Sequence, residues 1–326
     1  MNTNPLFDSP NDTVAPIHVR FLGVRGSIPS PGHKTARYGG NTSCVELRLG
    51  DQILILDAGS GLRELGSDLM EEFSCRPIHA DLLISHTHWD HIQGLPFFAP
   101  IYSSRNRIRI LGANGQAQSL ARALRNQMIT SHFPVGPEQM RGLAGIEQLG
   151  PEETHLGIFK VRAASLNHPG GCTGFRIDTP GASLAYLPDH EPFHSSCLPG
   201  TPNEDAKRKR EALLHFIQGV DLLILDTQYT VEEYAIRIGW GHGCLPDSVR
   251  CAIDAGVSRL LLFHHDPAHD DHRIDQLVAD ARVMAAGSPL LIDAAIENET
   301  FQLTRSHRAV APSPPASSPL PNPVAA

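Results

Sequence analysis

The sequence predicts an α/β fold in which two mixed β-sheets pack face to face and helices flank them. Short apolar runs bounded by Gly, Pro and Asp recur along the chain, as β-strands do. Helical patterns lie between several of these runs, and the two kinds of element alternate irregularly, with more strands than helices. This irregular alternation favours a layered α/β arrangement within one domain.

Eleven runs of five to eight residues predict strands, because Ile, Leu and Val dominate them. In chain order they cover 17–24, 44–49, 52–59, 80–86, 107–112, 159–166, 174–178, 182–187, 221–226, 259–264 and 289–295. Helical patterns cover about 61–73, 115–130, 204–218, 246–255 and 271–286. Together these elements predict one domain over residues 17–305.

Both ends of the chain are predicted to be disordered tails. Residues 1–16 are polar and carry three prolines, and residues 306–326 are rich in Pro, Ala and Ser. Such compositions cannot bury enough apolar surface to offset the entropy lost on ordering. No apolar run reaches the roughly 18 residues of a membrane span, and the first twenty residues lack the apolar block of a secretory signal. We therefore expect a cytoplasmic protein without a membrane partner.

Charge and cysteine content narrow the classes of function. The formal net charge is −8, whereas a protein that holds a nucleic-acid polymer needs many Lys and Arg side chains against phosphates. The dense basic run from Lys207 to Arg210 is interpreted as the solvated side of a helix that begins behind two acidic residues. The six cysteines lack CxxC spacing, which argues against a zinc ribbon. We therefore expect no stable nucleic-acid partner.

The segment SHTHWDH, residues 85–91, places four metal-ligating side chains directly after an apolar run. In an extended segment alternate side chains share a side, so His86 and His88 point the same way. The chain then turns, and Asp90 and His91 can face a second ion nearby. For any one of these residues a polar loop with hydrogen-bonded or exposed side chains is the simpler interpretation. The four together favour a catalytic site for divalent ions.

Two ions need further ligands, and three other strand ends supply candidates. His168 follows the run FKVRAASL, Asp189 follows ASLAYL, and His264 ends RLLLFH. Each precedes a proline or a turn, where a side chain can leave the sheet edge toward a shared cleft. Because neighbours in a strand project to opposite faces, only one of His264 and His265 is expected to be a ligand.

These residues resemble the metallo-β-lactamase fold superfamily, specifically its ribonuclease Z-like and cyclic-nucleotide phosphodiesterase branch, which includes anti-Pycsar phosphodiesterases. The resemblance covers nearly all of residues 17–300 and rests on HTHWDH, NHPGG, YLPD, GWGHG and LLLFHHDP, in the family's order. It implies an αββα sandwich with two Zn²⁺ ions, or Mn²⁺ in their place, at the edge of both sheets. By this resemblance the first ion is held by His86, His88 and His168, the second by Asp90, His91 and His264, and Asp189 bridges them.

The resemblance also implies catalytic residues, His242 in GWGHG and the ligand Asp90. His242 matches a histidine that is not a ligand in ribonuclease Z relatives and lies beside the scissile phosphate. There it can donate a proton to a phosphoryl oxygen or leaving group. The sequence does not identify a carboxylate that orients its ring, because Asp226, Glu232 and Glu233 are near it only in sequence.

Two further features have supporting roles. Asp57 in LDAGSG matches an acidic residue that orients the first ligand loop in such proteins, but a strand-end aspartate that caps the helix from Gly61 is an equal alternative. The glycine-rich segments HPGG and GGNTS would let backbone N–H groups approach an anion.

A small cyclic phosphate is the expected substrate. Ribonuclease Z relatives bind tRNA with a basic arm that lies between the ligands matching His168 and Asp189. In this sequence only twenty residues separate the two positions, and they form a hairpin-like segment without room for an arm. The resemblance to small-substrate members therefore predicts opening of 3′,5′-cyclic nucleotides to nucleoside monophosphates. The alternatives are a ribonuclease Z-like RNA endonuclease and a catalytically silent metal-binding effector.

The long stretch 92–157 mixes apolar residues with Pro and Gly. We interpret it as a lid over the cleft or as a homodimer contact, because relatives act as homodimers. An ordinary helix followed by a surface loop is an equal alternative.

Overall fold

The computed structural model describes residues 15–304 apart from 114–116, 130, 132, 151 and 197–199. Within them, two seven-stranded β-sheets pack face to face, and helices cover the outer face of each sheet. The predicted αββα sandwich of mixed sheets is therefore confirmed. Of the predicted tails, 1–16 and 306–326, all but residues 15 and 16 lie outside the described residues.

The first sheet is built mostly from the N-terminal part of the chain. Its strands are β1 (Ile17–Gly23), β2 (Cys44–Leu49), β3 (Gln52–Leu56), β4 (His79–Leu83), β5 (Arg107–Gly112), β6 (Leu143–Gln148) and β14 (Thr300–Leu303). Their order is β14-β1-β2-β3-β4-β5-β6. Strands β3 to β6 run parallel, so they all end at the same edge of the sheet.

The second sheet follows in the chain. Its strands are β7 (Thr154–Leu156), β8 (Phe159–Leu166), β9 (Cys172–Asp178), β10 (Ser183–Leu187), β11 (Leu222–Asp226), β12 (Arg259–Phe263) and β13 (Leu291–Ala294). Their order is β13-β12-β11-β10-β9-β8-β7, and β10 to β13 run parallel. Strands β9 and β10 form the antiparallel hairpin that the sequence predicts.

Seven α-helices occur in the described residues. They are α1 (Leu62–Phe73), α2 (Trp89–Ile92), α3 (Ala117–Asn126), α4 (Glu204–Ile217), α5 (Val231–Ala235), α6 (Leu245–Asp254) and α7 (Asp271–Met284). Short 3₁₀ turns cover Leu95–Phe97, Ala99–Tyr102 and Pro137–Gln139. None of the helices in this part of the chain has the length and apolar character that a bilayer crossing needs.

Three apolar layers hold the sandwich together. In β4, Leu83 packs in the layer between the sheets, whereas its neighbour Leu82 packs against α1 and α3. In β12, Leu261 packs between the sheets and Leu260 packs against α4, α6 and α7. Because alternate residues face opposite sides of a strand, strands buried on both faces appear in the sequence as unbroken apolar runs.

Strands β6, β7 and β14 were not predicted. All three lie toward the outside of their sheets, and the residues of β6 and β14 are mostly half-buried or exposed. Backbone pairing with β5, β8 and β1 holds these strands in place. Their side chains therefore carry little of the apolar signal that identifies a buried strand.

The stretch 92–157 contributes β5, α3 and β6 to the first sheet and its outer layer. Met128 and Met140 are buried in that layer, whereas Phe97 and Ile129 of the same stretch are exposed. This arrangement is close to a helix followed by a loop. The lid and the dimer contact stay predictions.

Candidate metal centre

The seven predicted ligands lie at one edge of the sandwich, where strands of both sheets end. His86 and Asp189 follow β4 and β10, while His168 and His264 follow β8 and β12. The remaining three ligands lie in or beside α2, which begins directly after His88. Three sets of ligand atoms are each within 4.8 Å of one another: His86, His88, His168 and Asp189; Asp90, His91 and His264; and Asp189, His242 and His264.

The first group consists of His86, His88 and His168. The Nε2 atoms of His86 and His168 each lie 3.6 Å from Oδ2 of Asp189. Nδ1 of His88 lies 2.9 Å from Nε2 of His168. Three ring nitrogens and one carboxylate oxygen therefore converge on one point.

The second group consists of Asp90, His91 and His264. Oδ2 of Asp90 lies 3.2 Å from Nε2 of each histidine. Oδ1 of Asp189 lies 3.0 Å from Nε2 of His91 and 3.4 Å from Nε2 of His264. Asp189 thus presents one oxygen to each group, as its predicted bridging role requires.

Several of these inward-facing atoms have no hydrogen-bond partner among the described residues. They include Nε2 of His86, Nε2 of His91 and Oδ1 of Asp189, all of them buried; the last two lie 3.0 Å apart, but not at the angles of a hydrogen bond. A buried polar atom without a partner costs about 1–3 kcal/mol, so three in one place call for a ligand. Imidazole nitrogens and carboxylate oxygens are donors for divalent transition metals. The residues present therefore fit a pair of ions.

The opposite ring nitrogens of three histidines are held by the protein. Nδ1 of His91 pairs with Oδ2 of Asp57 at 2.8 Å. Nδ1 of His264 pairs with Oε1 of Gln228 at 3.0 Å. Nδ1 of His168 pairs with the carbonyl oxygen of Gly241 at 2.9 Å. These contacts fix each ring so that Nε2 faces the centre, as outer-shell partners do in metal sites.

Asp57 organises the first ligand loop. Its carboxylate accepts hydrogen bonds from the backbone N–H and the hydroxyl of Ser85, both at 2.7 Å, and from the hydroxyl of Tyr186 at 2.8 Å. Helix α1 begins after Gly61 without a side-chain cap. Of the two interpretations of Asp57, its contacts therefore match the orienting role and not the helix cap.

His264 enters the cluster and His265 does not. His264 has a φ of 59°, so the alternation of side chains along a regular strand does not apply at this position. Nε2 of His265 instead pairs with the carbonyl oxygen of Ala295 at 3.1 Å. A Cβ added to Gly26 would lie 2.5 Å from the His264 ring, so a glycine is required beside it.

His242 lies beside both groups and is paired with a carboxylate. Its Nδ1 lies 3.0 Å from Oδ2 of Asp226 and 3.9 Å from Oδ2 of Asp189. Burial opposes protonation of His242, but Asp226 raises its pKa to about 9. Sequence reasoning could not choose Asp226 over Glu232 and Glu233; the available signal was that Asp226 ends a buried strand, as the ligands do.

Burial lowers the pKa values of His86, His88 and His168. Desolvation disfavours the charged imidazolium, strongly at the buried His86 and less at His88, whose residue is exposed, so these rings stay neutral. A neutral imidazole has a free lone pair and is the form that binds a metal ion. The first group is therefore a set of three neutral nitrogen donors.

The second group carries the negative charge. Burial opposes ionisation of Asp90 and Asp189, but neighbouring histidines outweigh it and hold both pKa values well below the usual range. Burial likewise opposes protonation of His91, yet Asp189, Asp90 and Asp57 raise its pKa well above the usual range. These carboxylates require a positive charge at Nε2 of His91, and a metal cation would supply it.

Glu191 is a further buried residue of the site that sequence reasoning missed. Its Oε1 accepts hydrogen bonds from the hydroxyl of Tyr234 at 2.9 Å and from N–H of Gly239 at 2.8 Å. Its Oε2 accepts from N–H of Gly241 at 2.8 Å. The carbonyl of Gly241 in turn holds His168, so Glu191 links the GWGHG loop to the first group. Its only sequence signal is its position directly after YLPDH.

The segment GGNTS does not offer the free N–H groups that the sequence suggested. N–H of Asn41 donates to Oε2 of Glu297 at 2.9 Å, and N–H of Thr42 donates to Oγ of Ser60 at 3.0 Å. The expectation that these two amides approach an anion is therefore wrong. Their role is to tie the loop to its neighbours.

Comparison with known proteins gives both a sequence family and similar folds. Residues 53–265 match the family described as the beta-lactamase superfamily domain. Ribonuclease Z of Thermoplasma acidophilum is 24% identical over 300 residues, which span 82% of this chain and 91% of that protein.

Two solved structures share the fold. The metallo-beta-lactamase fold protein YhfI from Bacillus subtilis has a TM-score of 0.63 at 20% identity, over 88% of this chain and 99% of that one. Unliganded yeast PDE1 has a TM-score of 0.61 at 16% identity, over 89% of this chain and 100% of that one. At these identities the likeness shows the fold alone.

Proposed function

We propose that this chain, which belongs to the beta-lactamase superfamily domain family, is a metal-dependent phosphodiesterase that opens 3′,5′-cyclic nucleotides to nucleoside monophosphates. The observation that carries the proposal is Asp189, which presents one oxygen to each ligand group while His242 lies 3.9 Å away. Cleavage of a phosphodiester requires that charge on the phosphate and on the leaving oxygen be neutralised. Two cations with a proton donor beside them suit both needs.

The two groups would hold two Zn²⁺ ions, or two Mn²⁺ ions, with Asp189 shared. Imidazole donors favour zinc, and carboxylate donors also suit manganese. When bound, such ions lower the pKa of a water molecule toward about 7 and neutralise phosphate charge. Asp90 is kept in place by the backbone N–H of Ser27, which donates to its Oδ2 at 2.7 Å.

His242 is the proposed general acid. Because its Nδ1 pairs with Asp226, its Nε2 is the nitrogen that would carry a transferable proton. Asp226 is itself fixed, since it accepts from N–H of His190 at 3.1 Å and from N–H of Gln228 at 2.9 Å. In the proposed reaction Nε2 of His242 donates this proton to the ester oxygen as its bond to phosphorus breaks.

A small substrate is favoured over an RNA polymer by the surface of the chain. Only the short hairpin of β9 and β10 lies between His168 and Asp189. In the basic run of α4, Lys207 pairs with Glu204 at 2.7 Å, and Arg208 and Lys209 pair with one aspartate at 2.6 and 2.7 Å. Cations that are already paired contribute little to binding a polyphosphate.

RNA cleavage is the second candidate, because the similar Thermoplasma protein is named ribonuclease Z. A polymer substrate would be held by many phosphate contacts, and its binding would weaken steeply as salt rises. A cyclic mononucleotide makes few such contacts. The salt dependence of KM therefore separates the two candidates.

The test is a substrate panel assayed with zinc and with manganese. It contains cyclic AMP, GMP, CMP and UMP, a ribose cyclic phosphate, a precursor tRNA and a chromogenic lactam. Turnover of cyclic nucleotides to monophosphates, with no cut in the tRNA, is the expected result. Cleavage of the tRNA with intact cyclic nucleotides would establish the second candidate instead.

A further inference from the structure

Trp240 is an indole presented to solvent beside the candidate centre. It is 60% exposed and lies two residues before His242, which is half-buried, while Ile238 on its other side is exposed as well. Exposure of so large an aromatic group forfeits the free energy that its burial would supply. A surface indole next to a reaction centre is therefore a candidate contact for substrate.

The loop that carries Trp240 is fixed on both sides of the ring. Glu191, which is buried, accepts hydrogen bonds from N–H of Gly239 and from N–H of Gly241, each at 2.8 Å. The backbone N–H of Trp240 donates to the carbonyl oxygen of Arg237 at 3.1 Å. These hydrogen bonds fix the backbone on both sides of Trp240. The indole side chain remains exposed to solvent, where a ligand can contact it.

The guanidinium of Arg237 lies near two aromatic rings, those of Trp240 and Tyr229. Its guanidinium carbon is 5.9 Å from the Trp240 ring and 5.2 Å from the Tyr229 ring. The Tyr229 ring in turn meets the His242 ring edge-on at 5.8 Å. A guanidinium has five N–H donors, and within the described residues Arg237 uses one nitrogen, NH1, in a hydrogen bond to the carbonyl of Glu233.

We propose that Trp240 and Arg237 form a subsite for the aromatic base of a nucleotide substrate. This inference rests on the proposed function, because it requires the phosphate to lie at the metal centre beside His242. The base then stacks on the indole, and the free N–H groups of Arg237 reach acceptors on its edge. Stacking on an aromatic ring tolerates every base, so the subsite selects nucleotides over phosphodiesters without a base.

A single-tryptophan experiment tests the subsite without catalysis. The chain has two tryptophans, so Trp89→Phe leaves Trp240 as the only indole, and Trp240→Phe leaves Trp89. The zinc-loaded variants are titrated with AMP or UMP and, as the matched probe without a base, with ribose 5-phosphate. Saturable quenching by the nucleotides in the Trp89→Phe protein, but not in the Trp240→Phe protein, is expected. Equal quenching by ribose 5-phosphate, or quenching confined to Trp89, would overturn the proposal.

Steady-state kinetics supply the second measurement. Trp240→Ala should raise KM for cyclic AMP by about 5- to 150-fold, the effect of losing one base–aromatic stack. Trp240→Ala should leave kcat/KM for a ribose cyclic phosphate unchanged. Trp240→Phe keeps an aromatic ring, so its KM for cyclic AMP should lie close to that of the unmodified protein. Ile238→Ala, at an exposed neighbour in the same loop, is the control and should change neither value. Equal losses on both substrates would contradict a base subsite.

Fluorescence quenching and steady-state kinetics together distinguish failure of the base subsite from failure of the proposed function. If the unmodified protein hydrolyses no cyclic nucleotide while AMP quenches Trp240, the proposed function fails and the base subsite stands. If cyclic nucleotides are hydrolysed while Trp240→Ala changes KM for cyclic AMP and for ribose cyclic phosphate alike, the function stands and the subsite fails.

Discussion

The two ligand groups on either side of Asp189 differ in how far water reaches them. All members of the second group are buried, and the side chains of His91 and His264 have no exposed surface. In the first group His88 is exposed. Electrostatic attraction is stronger where water is excluded, and the second group also has the greater negative charge. We therefore expect two unequal ions, a tightly held one in the second group and an exchangeable one in the first.

The groups also differ in what supports their histidines. Side chains support the second group, since Asp57 holds His91 and Gln228 holds His264. In the first group a backbone carbonyl, that of Gly241, supports His168, and the hydroxyl of Ser85 lies 3.1 Å from Nδ1 of His86. Mutation can remove a side chain that supports a ligand, so the affinity of each ion can be tested separately.

The largest effect on metal content is expected from Asp189→Ala. Among the described residues, Asp189 is the one carboxylate that faces both groups. Without it the content should fall from about two ions per chain to nearly none, and hydrolysis with it. Elemental analysis of the purified protein measures this directly. Asp51→Ala, at an exposed turn, is the control and should keep both ions. Two ions in the Asp189→Ala protein would contradict its bridging role.

His88→Ala should remove one ion and leave the other. His88 belongs only to the first group, so the content should fall from about two ions to about one, with the remaining ion in the second group. His155→Ala, whose side chain is 69% exposed and lies in β7, is the matched control. Native mass spectrometry counts the ions on each protein. Loss of both ions, or of neither, would show that the two groups are not separable.

Gln228→Ala should weaken the binding of one ion without removing that ion. Loss of an outer-shell support typically lowers metal affinity by about 10- to 100-fold. Among the predicted ligands, the Gln228 side chain contacts His264, and its amide nitrogen donates to Asp266 outside the centre. A chelator titration should therefore show weaker binding of the tighter of the two ions. Gln218→Ala, at the exposed end of α4, is the control. If only the more weakly bound ion lost affinity, the weaker site would be the second group, contrary to the expectation.

His242→Ala should have the smallest effect on metal content and a large effect on rate. Both ions should remain, since His242 is assigned as a proton donor, while kcat falls by about 10²- to 10⁴-fold. Asp226→Asn should lower kcat in the same direction, because it weakens the contact that orients the ring. An unchanged rate would refute the assigned role, and a lost ion would make His242 a ligand.

The elements that the sequence predicts best are those whose signal is local. The strands buried on both faces appear as apolar runs, and the motif HTHWDH places four candidate ligands within six residues. The edge strand β14 carries no such signal, because its pairing with β1 depends on a segment far away in the chain. Its position is a consequence of the assembled sheet.

Contacts within the site were harder to predict for the same reason. The pairing of His242 with Asp226 follows from β11 lying between β10 and β12, which sequence spacing does not reveal. The choice of His264 over His265 depends on one residue with a positive φ. Glu191 acts through two backbone N–H groups that lie 48 and 50 residues further along the chain.

The most direct test of the account is anomalous diffraction at the zinc edge from crystals of the zinc-loaded protein. We predict two peaks, one on each side of the Asp189 carboxylate, with the peak in the second group at higher occupancy. A single peak, or two peaks that do not share Asp189, would contradict the two-ion centre on which the proposed chemistry depends.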